Sequence, residues 1–231
     1  NKWKIHNEDA LLMRYNNYFD FVIGNPPYIR IHDLIVDYKS FNFSSNGMTD
    51  IYLIFFEIGL KSLKPCGELL YITPNSYFTS KSGNVFRSEI TGDNYSLKEI
   101  YNLGHYNPFE NAMTYTAITK IIKKPFDNQG VSYYNCNENG SSLVADNLLA
   151  ENFIINGQFY FSTIENLQYL RDVLTAERDA TLKVANGVAT NLDRFFFSDD
   201  YNGEYIKPAY KISTSKETNV FFPYDNDGRV I

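Results

Sequence analysis

Asn25, Pro26, Pro27 and Tyr28 follow a short apolar run, residues 19–23, with Gly24 between. Each proline holds φ at about −65° and lacks an N–H, so the run cannot continue as a paired strand and Asn25 and Tyr28 ride on a stiff turn. In an open α/β sheet, ligands bind beyond the carboxyl ends of the strands, which is where this turn would lie. The group suits one kind of chemistry. The exocyclic amine of a nucleobase is a poor nucleophile because its lone pair is delocalised into the ring. Two acceptors on its two N–H bonds draw the nitrogen towards tetrahedral geometry, and the Asn25 side-chain oxygen and the Pro26 carbonyl can serve. Tyr28 adds a flat face on which an extruded base can stack, worth about 1–3 kcal/mol. Orientation and fixed dipoles supply such catalysis without a metal or a strong base. Without context, the four residues read equally well as a proline-stiffened strand exit with a surface tyrosine.

The elements that would carry this turn can be read from periodicity. Residues 19–23 form a strand of the kind buried in a parallel sheet. Thr49 and Asp50 suit a helix N-cap, and residues 51–63 are apolar almost all round, which marks a buried helix, with Lys61 and Lys64 at its C-terminal end and Pro65 and Gly67 closing it. A strand over 69–73 follows, closed by Pro74 and Asn75. A helix is expected over 80–91 and strands over 96–103 and 113–123, with the loop from His105 to Glu110 between them. The fold class is α/β.

Bulk properties bound the function. The chain has 231 residues, ample apolar content for a core, and unusually many tyrosines and phenylalanines. Cys66 and Cys136 lie far apart and His6, His32 and His105 are scattered, so neither a disulfide framework nor a metal site is expected. No stretch is long and apolar enough to span a membrane and no signal peptide is visible, so a reducing cytoplasmic setting is the default. The net charge of −6 runs against a nucleic-acid surface, so contacts to phosphate would need basic residues gathered in one cleft or on another domain.

Asn-Pro-Pro-Tyr after an apolar strand, then a buried helix, Leu63-Lys64-Pro65-Cys66-Gly67, a strand and Pro74-Asn75, resembles the adenine-N6 DNA methyltransferases of restriction–modification systems. The family form usually has glycine where Cys66 stands. The resemblance implies a Rossmann-like methyltransferase sheet and S-adenosylmethionine as cofactor. It also implies double-stranded DNA as partner, and a catalytic group of Asn25, Pro26, Pro27 and Tyr28 acting on a flipped adenine. By the same resemblance, Asp9 and Ala10 match the acidic–apolar pair that contacts the cofactor's adenine. Phe109, with Tyr115 in reserve, would stack on the far side of the target base, and residues 29–47 would form a lid. The bland readings are a helix start at Asp9, a phenylalanine plugging the sheet end at Phe109 and a plain surface loop over 29–47.

The glycine-rich turn and the ribose-holding acidic residue of the family do not occur in the sequence, which opens at Asn1 rather than at a methionine. The expectation is a fragment of the catalytic domain that binds cofactor weakly and is inactive alone. The strand at 19–23 would then need the missing N-terminal half, the chain's own first residues or another chain to cover its edge. Residues 1–126 would be the target-base half of the catalytic core and 127–180 a connecting elaboration with a helix opened by Ser162-Thr163-Ile164-Glu165. Residues 181–231, with short strands around 184–190, 194–197, 205–208 and 221–224, would begin a β-rich target-recognition region. Two other functions stay open: a release-factor glutamine methyltransferase, which uses the same four residues, and a non-catalytic DNA-binding or specificity module on a methyltransferase scaffold.

Overall fold

A computed structural model describes residues 4–30, 40–44, 50–104, 106, 115–125, 130–175, 196–211 and 216–222. Phe109, most of the expected lid and the expected strand over 184–190 lie outside the described residues. The chain divides into two compact units, Asn1–Ala176 and Glu177–Ile231.

The first unit is built on six strands: β1 (Phe19–Gly24), β2 (Leu63–Pro74), β3 (Ser96–Asn102), β4 (Thr116–Ile122), β5 (Val131–Asn137) and β6 (Gly140–Leu148). Their order across the sheet is β1-β2-β4-β3-β5-β6. β1 and β2 pair in parallel, as do β3 and β5, while β4 runs against both β2 and β3, and β6 against β5. The carboxyl ends of β1, β2 and β3 therefore share one rim, and the α/β class holds.

Helix α1 (Ile51–Ser62) makes the crossover from β1 to β2, and its all-round apolar sequence is explained by its surroundings. Tyr52, Leu53, Phe56 and Leu60 join one core cluster with Leu69 and Tyr71 of β2, while Ile51 and Ile54 pack with Leu11 and Phe41 in another. Gly59 lets the helix approach β2: a Cβ there would come within 2.7 Å of both Leu69 Cδ1 and Tyr71 Oη. The one carboxylate buried in α1, Glu57, accepts from Phe43 N (2.8 Å) and from Lys61 Nζ (2.5 Å), so its burial is compensated.

The helix stops at Ser62, earlier than the sequence suggests, and Lys64 belongs to β2, where its Nζ meets Asp20 Oδ2 at 2.8 Å instead of a helix terminus. Helix α2 (Asn84–Ile90) is likewise shorter than expected. A 3-10 turn, Asn75–Phe78, separates it from β2, and Arg87 ties the region together by donating to the carbonyls of Tyr77, Ser80 and Gly157.

Two expectations need correction. The run at 19–23 reads as a buried parallel strand, yet among the described residues β1 pairs with β2 alone, and Phe21 and Ile23 are 64% and 76% exposed. Among the described residues β1 keeps an unpaired backbone edge, and the sheet face that carries Phe21 and Ile23, two positions apart, is open to solvent. Residues 4–18 add no strand to it; Asn17 N and Tyr18 N donate instead to Lys61 O and Ser62 O. Within 127–180, assigned to a connecting elaboration outside the core, the β5–β6 hairpin instead extends the same sheet through β3.

Beyond the hairpin come α3 (Ala150–Phe153), the strand pair β7 (Ile154–Ile155) and β8 (Gln158–Phe159), and α4 (Ile164–Thr175). Thr163 Oγ1 accepts from Asn166 N, so the hydroxyl capping α4 is Thr163 and its partner at the third helical position is Asn166 rather than Glu165. Leu167 alone on α4 is fully buried. In the second unit, β9 (Ile206–Lys211) and β10 (Lys216–Phe221) form an antiparallel hairpin, with Phe197 bridged to Val220.

Candidate active site

Three anchors fix the turn after β1. Gly24 ends the strand against Tyr71 of β2, where an added Cβ would stand 3.2 Å from the ring. On the far side, Ile51 N donates to Ile29 O (2.8 Å) and Arg30 bridges Asp50, tying the turn's exit to the start of α1. In between, Tyr28 Oη lies 2.7 Å from Asn25 Oδ1 and 3.2 Å from the Ile72 carbonyl of β2.

Within this frame Asn25 is exposed, Pro26 buried, Pro27 exposed and Tyr28 half-buried. The carboxamide therefore stands at the surface of the rim and is not turned into the core. Burial raises the Tyr28 phenol above its usual pKa, so it stays protonated and able to donate at neutral pH.

Further along the rim, Asn75 Nδ2 donates to Asn102 Oδ1 (3.2 Å) and Asn102 Nδ2 to Tyr133 Oη (2.9 Å). These groups line a cleft of about 260 Å³ with Phe78, Phe159 and Phe161. Tyr115, the reserve stacking residue, is on this rim: its carbonyl accepts from Asn75 N, and the residue is 53% exposed.

Asp9 caps the 3-10 turn Ala10–Leu12, its Oδ1 accepting from Leu11 N at 2.9 Å. Ala10 forms part of the wall of a hollow of about 500 Å³ beside β1, with Phe19, Val22, Phe55, Ile58 and Tyr71 among its other walls. That hollow is lined along β1 by Phe19 and Val22 and by Tyr71, the strand partner of Gly24; Ala10 belongs to its wall, and none of Asn25 to Tyr28 does. No cluster of metal-ligating side chains occurs among the described residues.

Sequence reasoning misses the Ile72 carbonyl as a member of the site. A backbone oxygen leaves no mark in residue type, and its partner is 44 positions away.

Comparison with known proteins bears on this arrangement. In an open α/β sheet the carboxyl rim is where ligands bind, and this rim carries the proline-stiffened Asn25 and Tyr28. Residues 1–109 match the family model of the Eco57I restriction-modification methylase. The Type II methyltransferase M.BstVI of Geobacillus stearothermophilus is 28% identical, over 92% of this chain and 45% of that protein. M.XhoI of Xanthomonas vasicola is 33% identical over 51% of this chain and 22% of that protein. M.HindII of Haemophilus influenzae is 25% identical over 86% and 44%. The chain thus spans less than half the length of these relatives. The resemblance to restriction–modification DNA methyltransferases is borne out, and the release-factor alternative is not favoured by it.

Proposed function

We propose that this chain carries the target-base half of a site-specific DNA methyltransferase that methylates adenine at N6 on a flipped base. The observation that carries the reading is the exposed Asn25 carboxamide, held on the sheet rim between β1 and β2 by the Tyr28 hydroxyl. With adenine extruded from the duplex, Asn25 Oδ1 and the Pro26 carbonyl accept the two N6–H bonds. The nitrogen lone pair is thereby turned out of conjugation. Tyr28 presents its ring to one face of the base, and Phe109 or the rim-placed Tyr115 presents another to the opposite face. S-adenosylmethionine supplies an electrophilic methyl group on a sulfonium. Asn25 Oδ1 and the Pro26 carbonyl would stabilise the positive charge that grows on N6 as it takes up that methyl group, before the amine loses a proton to water.

The residues at hand fit part of that cofactor. Asp9 offers a carboxylate and Ala10 a small apolar wall beside an aromatic-lined hollow, which suits a purine ring. Asp9 and Ala10 would hold the cofactor's adenine. The parent activity, its DNA partner and its cytoplasmic setting belong to the same proposal.

The complete protein, incubated with unmodified plasmid DNA and labelled cofactor, is expected to yield N6-methyladenine by nucleoside mass spectrometry. The Asn25→Ala variant should lose about 10²–10³-fold in rate while binding DNA normally. Methylation of a release factor but not of DNA would reassign the substrate. No transfer by the complete protein, with DNA bound, would leave the reading as a specificity module.

A further inference from the structure

The Tyr28 hydroxyl has one proton and two acceptors, Asn25 Oδ1 at 2.7 Å and the Ile72 carbonyl at 3.2 Å. It cannot donate fully to both. In the arrangement observed, Oδ1 takes the proton, so one of the two lone pairs of the oxygen that the target amine needs is already engaged. The Asn25 side chain offers a second arrangement. Half a turn of its terminal torsion, a broad and roughly two-fold one, exchanges Nδ2 for Oδ1 at little cost. Nδ2–H then donates to Tyr28 Oη, Oη–H donates to the Ile72 carbonyl, and two hydrogen bonds replace one. Oδ1 is carried to the exposed side with both lone pairs open.

The fixed end of this relay is well chosen. Ile72 lies on β2 between β1 and β4, and its pairing with Ile118 keeps the strand in place. The half-buried, protonated phenol remains a donor.

We propose that the Tyr28 hydroxyl is a positioning group for methyl transfer, holding the Asn25 carboxamide with Oδ1 outward through a relay that ends on the Ile72 carbonyl. This rests on reading Asn25 as the acceptor for the target amine. The turned orientation is populated in the free chain, and the incoming amine selects it.

Tyr28→Phe keeps the ring for stacking and removes only the relay. In the complete protein it should lower kcat for DNA methylation by about tenfold, the weight of one neutral hydrogen bond made in the transition state. KM for DNA should stay within about twofold, since the stacking face is unchanged. Unchanged kcat, or a loss confined to KM, overturns the proposal. A second reading needs no activity. In side-chain amide NMR of the free chain, one Asn25 Nδ2 proton should lie downfield and return to the solvent-exposed position in Tyr28→Phe. Two solvent-like protons in the unaltered chain also overturn it. A downfield proton in a complete protein that methylates no DNA would instead keep the relay and discard the proposed function.

Discussion

Tyr71 shows how a single side chain ties packing to pH. Its ring packs against Phe56 and lies beside Gly24, and burial pushes its phenol up to about 12. Tyr52 and Tyr77, buried in the same cluster, are raised too. An unfolded tyrosine ionises at about pH 10. Below that pH both states are protonated and the full stability is present. Between about pH 10 and 12 the unfolded chain loses protons that the folded chain keeps, so stability falls as pH rises, by on the order of 2–3 kcal/mol for one such group. Urea midpoints followed by circular dichroism from neutral to alkaline pH should show that fall, and Tyr71→Phe should remove one group's share of it while the Tyr52 and Tyr77 contributions remain. At this scale the sequence was informative about Asn25 and Tyr28, whose types announce an acceptor and a stacking face. It was silent about the Ile72 carbonyl, because a backbone oxygen carries no residue identity.

Among the elements, the start of β2 carries a strained residue. Cys66 has φ +62°, in the left-handed region that costs a side-chain-bearing residue about 1–2 kcal/mol. Its N–H is held by Lys123 O at 2.9 Å, which fixes the conformation. Glycine adopts this backbone freely but gives up about 0.5–1 kcal/mol of unfolded-chain entropy. Cys66→Gly should therefore raise stability by about 0.5–1 kcal/mol, read as a later urea midpoint; an earlier midpoint would show that the turn is not strained. The resemblance to a family with glycine here has a physical counterpart in that φ. Element types were legible where local signals are strong: the apolar run that becomes β1, the greasy stretch that becomes α1, and the start of α4, though its capping hydroxyl is Thr163 and not Ser162. Ends were less so. Leu63 and Lys64 read as the last turn of a helix, yet the β1 pairing available to them draws the chain into β2.

For the whole molecule, the outer edge of β1 matters most. Phe21 and Ile23 stand exposed on a strand with an unpaired side among the described residues, which is the arrangement that invites edge-to-edge pairing. The isolated chain should self-associate with rising concentration in light scattering. Ile23→Lys, a charge on the exposed face of this edge strand, should suppress this while leaving the melting temperature nearly unchanged. A chain that stays monomeric at all concentrations would show that the edge is already protected.

What the residues determined by themselves is local. An apolar run, a glycine and two prolines must end a strand in a rigid turn, and an all-apolar stretch behind a capping residue must form a buried helix, because these forces act within a few positions. Which strands become neighbours was decided by the tertiary structure. Among the described residues it set β1 at an edge rather than in the middle, joined the β5–β6 hairpin to the same sheet and brought Tyr28 to a carbonyl of β2. Pairing across such separations depends on the burial of whole faces, which no short stretch encodes.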